Sequence, residues 1–143
     1  MKNTYSLPCN IAQTLNLIGD RWSLLILHRL LNGNGTYKEL QDSLTGIPSN
    51  LLSERLKTLE ADGLVKSELY REHPPRYRYM LTQSGSELDD VFNAIVIWGQ
   101  KNLKTCYKRL VHDECGGDIE HRYYCPKCNK TITSNELAVK DGK

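Results

Sequence analysis

The sequence predicts a mainly helical domain that carries one small β-hairpin and ends in a compact, cysteine-bearing appendage. Three observations carry that expectation. Apolar residues recur at helical spacing through most of the first 62 residues. Over residues 65–81 this gives way to two short runs rich in β-branched and aromatic residues, separated by His73-Pro74-Pro75. Of the five cysteines (Cys9, Cys106, Cys115, Cys125 and Cys128), three crowd near the C-terminus. The bulk numbers agree: 143 residues suit one domain plus a small addition, and 39% apolar with 25% charged residues is ordinary for a globular chain. No apolar run approaches the ~20 residues that span a bilayer. Met1-Lys2-Asn3-Thr4-Tyr5 lacks the apolar core of a signal peptide, so the expected location is cytoplasmic. The net charge of +2 is too small to indicate a nucleic-acid partner by itself.

Taken in order, Ile11, Leu15 and Ile18 mark a helix over residues 10–18, which Gly19-Asp20 breaks. Residues 21–31 are apolar nearly all round and predict a helix buried at the centre of the domain. Asn32-Gly33-Asn34-Gly35 is a turn. Thr36 and Glu39 form a capping box for a short helix over residues 36–44, with Tyr37, Leu40 and Leu44 inward. After the turn Thr45-Gly46-Ile47-Pro48, a second helix runs to Asp62, where Gly63 ends it; Leu52, Leu56 and Leu59 face inward. Residues 65–70 and 77–81 form the hairpin. Ser84 and Glu87 make another capping box, opening a long helix striped by Leu88, Val91, Phe92, Ile95, Trp98 and Leu103, extending toward Leu110. The expected organisation is residues 1–110 for the main domain, 111–133 for the appendage and 134–143 for a mobile tail.

Two short helices joined by a turn form a helix-turn-helix, and a hairpin directly after them is a wing. The major groove is about 12 Å wide and admits one helix. On the second helix Ser49, Asn50 and Ser53 are short hydrogen-bonding side chains near the N-terminus, and Arg55 and Lys57 add charge. The hairpin carries Lys66, Arg71, His73, Arg76 and Arg78. Arg76 and Arg78 alternate along one strand and so share a face, which suits phosphates or a narrow minor groove. The plainer reading is a solvated face, with Glu68 and Glu72 close enough in sequence to pair with them; the preceding helix-turn-helix tips the balance toward DNA.

At this level of detail the chain resembles the HxlR-type family of winged-helix transcription regulators, over residues 9–103. The likeness rests on Cys9-Asn10, Leu17-Ile18-Gly19-Asp20-Arg21-Trp22 and the run from Ile47-Pro48-Ser49-Asn50-Leu51-Leu52-Ser53-Glu54-Arg55 through Ala61-Asp62-Gly63-Leu64-Val65. It continues in Pro74-Pro75-Arg76-Tyr77-Arg78-Tyr79 and Trp98-Gly99. Pro48 is a departure, standing where the family usually has a serine or threonine cap. The resemblance implies a homodimer, paired through its first and last helices, that binds double-stranded DNA at an inverted-repeat operator. It also implies a candidate sensor of oxidants or electrophiles at Cys9. A thiol at a helix N-terminus has its thiolate favoured by backbone N–H groups; the plainer reading of Cys9 is a small residue packed at the dimer interface. Cys106 is expected on the long helix, in the core or an interface.

Beyond that likeness, His112-x-x-Cys115 is followed, after Gly116-Gly117, by Cys125-Pro126-Lys127-Cys128. Two short-spaced ligand pairs flanking a hairpin match a structural zinc knuckle or ribbon, and the glycines let the backbone turn after Cys115. One histidine and three thiolates fill a tetrahedral shell, so the expected Zn2+ is structural rather than catalytic. The alternatives are ordinary thiols or a Cys125–Cys128 disulfide; His121 is the rival histidine at poorer spacing. No nucleophile–base pairing, glycine-rich phosphate loop or open metal position suggests an enzyme. The competing functional reading is a protein- or RNA-interaction module built on a winged helix with a structural zinc site.

Overall fold

The computed structural model describes residues 4–33 and 35–142. Met1, Lys2 and Asn3, Asn34 of the expected turn, and Lys143 of the expected tail lie outside the described residues. The chain divides into two compact units, one ending at Asp90 and the next beginning at Val91.

The first unit contains α1 (Asn10–Ile18), α2 (Ser23–Leu31), α3 (Tyr37–Ser43), α4 (Ser49–Ala61), β1 (Val65–Arg71), β2 (Arg76–Leu81) and α5 (Gln83–Ser86). Its core is the set of inward faces that the periodicity marks: Ile26 and Leu27 of α2, Leu40 of α3, Leu52, Leu56 and Leu59 of α4, and Val65 of β1 are all but sealed from solvent. Each buried leucine of this kind contributes roughly 2 kcal/mol by removing apolar surface from water. The strands pair antiparallel, Val65 opposite Leu81 through Leu69 opposite Tyr77. Thr36 bridges to Arg78, and Tyr79 N–H donates to the Gly35 carbonyl at 2.7 Å, so the lead-in to α3 is tied to the hairpin by one isolated bridge.

Two helical expectations need correction. The segment over residues 21–31 is not buried all round: Leu25 is exposed, and Trp22 and Leu24 are half-buried. Along α1, Ala12 and Ile18 are buried while Ile11 and Leu15 face solvent. Periodicity identifies an apolar face but does not say what covers it.

The long helix starts later and stops earlier than its composition suggests. Ser84 does not cap it, because the Ser84 hydroxyl donates to the Gly63 carbonyl at 3.1 Å. Thr82 takes that role for α5, its oxygen accepting the Gly85 N–H at 3.2 Å. A Cβ on Gly85 would stand 2.2 Å from the Leu64 carbonyl oxygen, so the glycine is what allows α5 to lie against the end of the α4–β1 connection. Glu87 and Leu88 form a turn that separates the two helices, Glu87 keeping a right-handed helical backbone, and α6 runs over Asp89–Asn102. The Asn102 amide donates to the Trp98 carbonyl at 2.8 Å, a side-chain bond back onto the last turn of the helix. Leu103, Cys106 and Leu110 therefore lie beyond α6, and Cys106 is exposed.

Apart from α6, the second unit is made of small ladders. Val111 bridges to Asp118, and β3 (Tyr123–Cys125) pairs antiparallel with β4 (Lys130–Ile132). A one-turn 3-10 helix, Ser134–Glu136, falls inside the segment expected to be a mobile tail. Among the described residues no helix is long and apolar enough to cross a membrane.

Candidate nucleic-acid interface

The angle between α3 and α4 is fixed at their shared end. Thr36 caps α3 in the expected box: its oxygen accepts the Glu39 N–H at 3.2 Å, and the Glu39 carboxylate accepts the Thr36 N–H at 2.8 Å. The hydrogen bonds from the Thr36 amide and hydroxyl hold the Glu39 carboxyl below its ordinary pKa. The Tyr37 hydroxyl reaches across the turn, donating to the Ser49 carbonyl at 2.6 Å and lying 2.7 Å from Ser49 Oγ and 3.4 Å from Ser53 Oγ. Ser49 and Ser53 are thus partly engaged in holding α4 onto α3, while Asn50 and Lys57 are exposed. Pro48 occupies the N-cap position of α4 in extended geometry and supplies no side-chain cap.

Arg55, expected on the DNA-facing side, is turned elsewhere. Its Nε lies 3.3 Å from the Asp20 carboxylate, and the two side chains are only 17% and 19% exposed. The contact is ionic rather than hydrogen-bonded, since Arg55 Nε has no hydrogen-bond partner. Asp20 also accepts the N–H groups of Trp22 and Ser23, at 3.0 and 3.1 Å, and the Ser23 hydroxyl. Burial by itself would raise the Asp20 pKa. The hydrogen bonds from Ser23 and Trp22, with the charge of Arg55, outweigh it and hold the carboxyl below its ordinary value.

The hairpin is fixed to α4 by Glu60, whose carboxylate accepts both the N–H and the hydroxyl of Ser67, at 3.0 and 2.6 Å. Its register slips between Leu69 and Arg71, which leaves Tyr70 as the extra residue of a bulge. The Arg78 guanidinium lies 5.8 Å from the centre of the Tyr70 ring. Past the bulge Arg71 stands directly opposite Arg76, two like charges that would repel one another in isolation. Arg76 and Arg78 are both exposed, and neither belongs to an ion pair among the described residues; Glu68 stands opposite Arg78 in the strand register, and the charge of Arg78 also reaches Glu39. Between α3 and the hairpin lies an open cleft of about 410 Å3, walled by Tyr37, Lys38, Tyr70, Arg76, Tyr77 and Tyr79. Burial raises the hydroxyl pKa of Tyr79 within it. Spacing points to Tyr37 as an inward residue and to Tyr77 and Tyr79 as part of the wing, but not to Lys38 or Tyr70, nor to a cleft that they share. Tyr77 and Tyr79 alternate with the two arginines along one strand.

Cys9 is exposed and occupies the N-cap position of α1. The segment before it is clasped to that helix: Tyr5 N–H donates to Asn16 Oδ1 at 2.8 Å, Asn16 Nδ2 donates back to the Tyr5 carbonyl at 3.0 Å, and Gln13 Nε2 donates to the Leu7 carbonyl at 2.8 Å.

The expected metal ligands fall into two pairs. His112 Nδ1 lies 3.3 Å from Cys115 Sγ. The backbone N–H and thiol of Cys128, together with the Lys127 N–H, hydrogen-bond to Cys125 and lower its thiol pKa. Among the described residues, no three His, Cys, Asp or Glu side chains are grouped within one ion's reach.

Comparison with known proteins places this geometry in a family. Residues 17–107 match the HxlR-like helix-turn-helix family. An uncharacterized HTH-type transcriptional regulator of Mycobacterium tuberculosis is 34% identical over 139 residues, covering 93% of this chain and 85% of its own length. That alignment takes in the cysteine-bearing appendage. Among solved structures, the Pseudomonas aeruginosa protein PA1374 is 29% identical with a TM-score of 0.72, the match covering 94% of this chain and 92% of that one. The redox regulator HypR in its oxidized form is 30% identical with a TM-score of 0.62, over 68% of this chain and all (100%) of its own. With most of its length matched in sequence and the helix-turn-helix and hairpin in place, this chain belongs to the HxlR-like helix-turn-helix family.

Proposed function

We propose that this protein is a sequence-specific DNA-binding regulator of transcription. It acts as a homodimer on an inverted-repeat operator, with α4 in the major groove and the β1–β2 hairpin against the sugar–phosphate backbone. The observation that carries the reading is the outer surface of the first unit, where the exposed start of α4 lies on the same fold as a hairpin whose Arg76 and Arg78 are exposed and belong to no ion pair among the described residues. Asn50 has the donor–acceptor pair that reads adenine in the major groove. The N-terminus of a helix of this length favours a phosphate, and the Arg71–Arg76 juxtaposition is relieved when an anion lies between the two side chains. Arg55 serves as an internal brace rather than a DNA contact.

Two apolar stripes support the dimer. On α1, Ile11 is 72% exposed and Leu15 also faces solvent. On α6, Val91, Ile95 and Trp98 lie along one side, with Trp98 62% exposed. Surfaces of this kind are normally covered by a partner. Two-fold pairing sets two recognition helices about one DNA turn, ~34 Å, apart. Cys9, exposed at the head of α1, is the sensor: modification there changes how the protomers pack and hence the spacing of the α4 helices. Its support is its accessible position and the likeness to HypR.

Selecting bound sequences from random duplex, with and without a thiol-modifying reagent, tests the reading. An enriched two-fold-symmetric site is expected, lost on modification of the wild type and kept in Cys9→Ser. Arg76→Ala and Arg78→Ala should each weaken binding at least about tenfold and lower the salt dependence of log Kd by about one. Unchanged affinity in the double variant, or no enriched duplex, overturns the assignment; modification sensitivity that survives in Cys9→Ser removes Cys9 as the sensor.

A further inference from the structure

We propose that the two turns at residues 112–116 and 125–129 are the halves of one tetrahedral zinc site, ligated by His112, Cys115, Cys125 and Cys128, and that the ion takes the place of a hydrophobic core in this part of the chain. The proposal is independent of DNA binding.

The two turns are built alike. In each, two donors are separated by two residues, and the residue after the second donor has a left-handed backbone: Gly116 at φ 69° and Asn129 at φ 55°. Asn129 is the sole non-glycine residue of positive φ among the described residues. In the first turn the His112 carbonyl accepts the Gly116 N–H at 2.8 Å. In the second, the Lys127 and Cys128 N–H groups are directed at the Cys125 sulfur. Backbone amides arranged around a sulfur suit a thiolate bound to a cation better than a neutral thiol.

Each turn closes a short antiparallel ladder. His112 N–H donates to the Gly117 carbonyl at 2.8 Å and Ile119 N–H to the Leu110 carbonyl at 3.2 Å, while Cys125 stands opposite Lys130 in the β3–β4 pair. The 3.3 Å between His112 Nδ1 and Cys115 Sγ is close to the edge of about 3.5 Å that a tetrahedral zinc imposes between a nitrogen and a sulfur ligand.

The rival donors are committed elsewhere. His121 stacks edge-on against Tyr123 at 5.2 Å, and Asp118 accepts from Arg109 at 3.0 Å. A set of three thiols and one imidazole selects zinc over the hard cations that prefer oxygen.

Burial supplies the independent argument. From residue 103 to residue 142 no side chain is buried, and Leu110, Ile119, Cys125 and Ile132 are the half-buried exceptions to an otherwise exposed segment. Hairpins this short do not hold themselves together in water. Small folds lacking a core depend on a disulfide or a metal. No disulfide joins the described cysteines, and the pairing of Cys115 with a histidine rather than a fourth cysteine leaves one thiol unmatched by any disulfide scheme confined to this site. The two pairs do not converge within one ion's reach in this structure, so an ion that satisfies all four donors would have to draw the two turns together.

The test uses the full-length chain with the metal alone. After exchange into zinc and removal of excess, one equivalent per chain is expected by elemental analysis. Cobalt(II) titration should give the intense visible bands of a tetrahedral site with sulfur-to-metal charge transfer. Cys115→Ser and Cys128→Ser should each weaken cobalt binding more than about 100-fold. His112→Cys should retain the metal with a spectrum shifted toward an all-thiolate site. Chelation should open residues 103–142 to trypsin while the first unit stays intact. A wild-type chain that takes up no stoichiometric zinc, a weak octahedral cobalt spectrum, a His112→Ala spectrum identical to wild type, or an obligate Cys125–Cys128 disulfide by mass spectrometry each overturns the proposal. The wild-type spectrum decides the matter even where a variant fails to fold.

Discussion

Asp20 shows how much of this fold can hang on a single side chain. It caps the start of α2 through two backbone N–H groups and the Ser23 hydroxyl, and it neutralises Arg55 on α4. Its carboxyl titrates lower in the folded chain than in the unfolded one, so the stabilisation is complete above the unfolded value of about 3.9 and is lost as pH falls through the folded value. Replacing Asp20 by Asn keeps the shape but removes the charge beside a half-buried guanidinium. We expect Asp20→Asn to lose about 1–3 kcal/mol at neutral pH. Urea unfolding followed from pH 6 to pH 2 should show the variant losing less stability than wild type over the acid limb. Parallel curves for the two proteins would mean that Asp20 contributes nothing as an anion.

At the scale of elements, α3 and α4 were legible because the cap of the first and the core leucines of the second agree with their periodicity. The start of α1 at Asn10, the inward Leu52, Leu56 and Leu59, and the Thr36–Glu39 box all emerged as expected. The junction between α5 and α6 was not legible. Ser84 and Glu87 have the spacing of a cap, but a long-range hydrogen bond to Gly63, distant in sequence, decides the outcome. Arg55 misled for the same reason: helical spacing places it near the polar side, and Asp20, 35 positions away in the sequence, turns it inward. Gly85 marks where the connection after the hairpin is tightest, with no room for a methyl group beside the Leu64 carbonyl. Gly85→Ala should cost about 1–3 kcal/mol because backbone has to move to admit it. Thermal unfolding that matches wild type would show that α5 can slide away freely.

For the whole molecule, the sequence gives which faces are apolar and leaves open what meets them. Ile11, Leu15, Ile95 and Trp98 belong to stripes read from spacing alone, yet they lie in solvent in the single chain. If a second copy covers them, Trp98→Asp should yield a monomer by sedimentation velocity at concentrations where wild type is a dimer, and operator affinity should fall with it. A wild-type chain that sediments as a monomer at micromolar concentration would remove the two-fold arrangement. In the appendage the sequence offers donor spacing but no packing pattern, because the segment has almost no buried side chains. The N-terminal clasp made by Gln13 and Asn16 has a consequence of its own. Anything attached to the sulfur of Cys9 stands at the head of α1, two positions from Ile11, beside a segment that is hydrogen-bonded to the helix at Tyr5 and Leu7. A bulky adduct is therefore a wedge rather than a decoration.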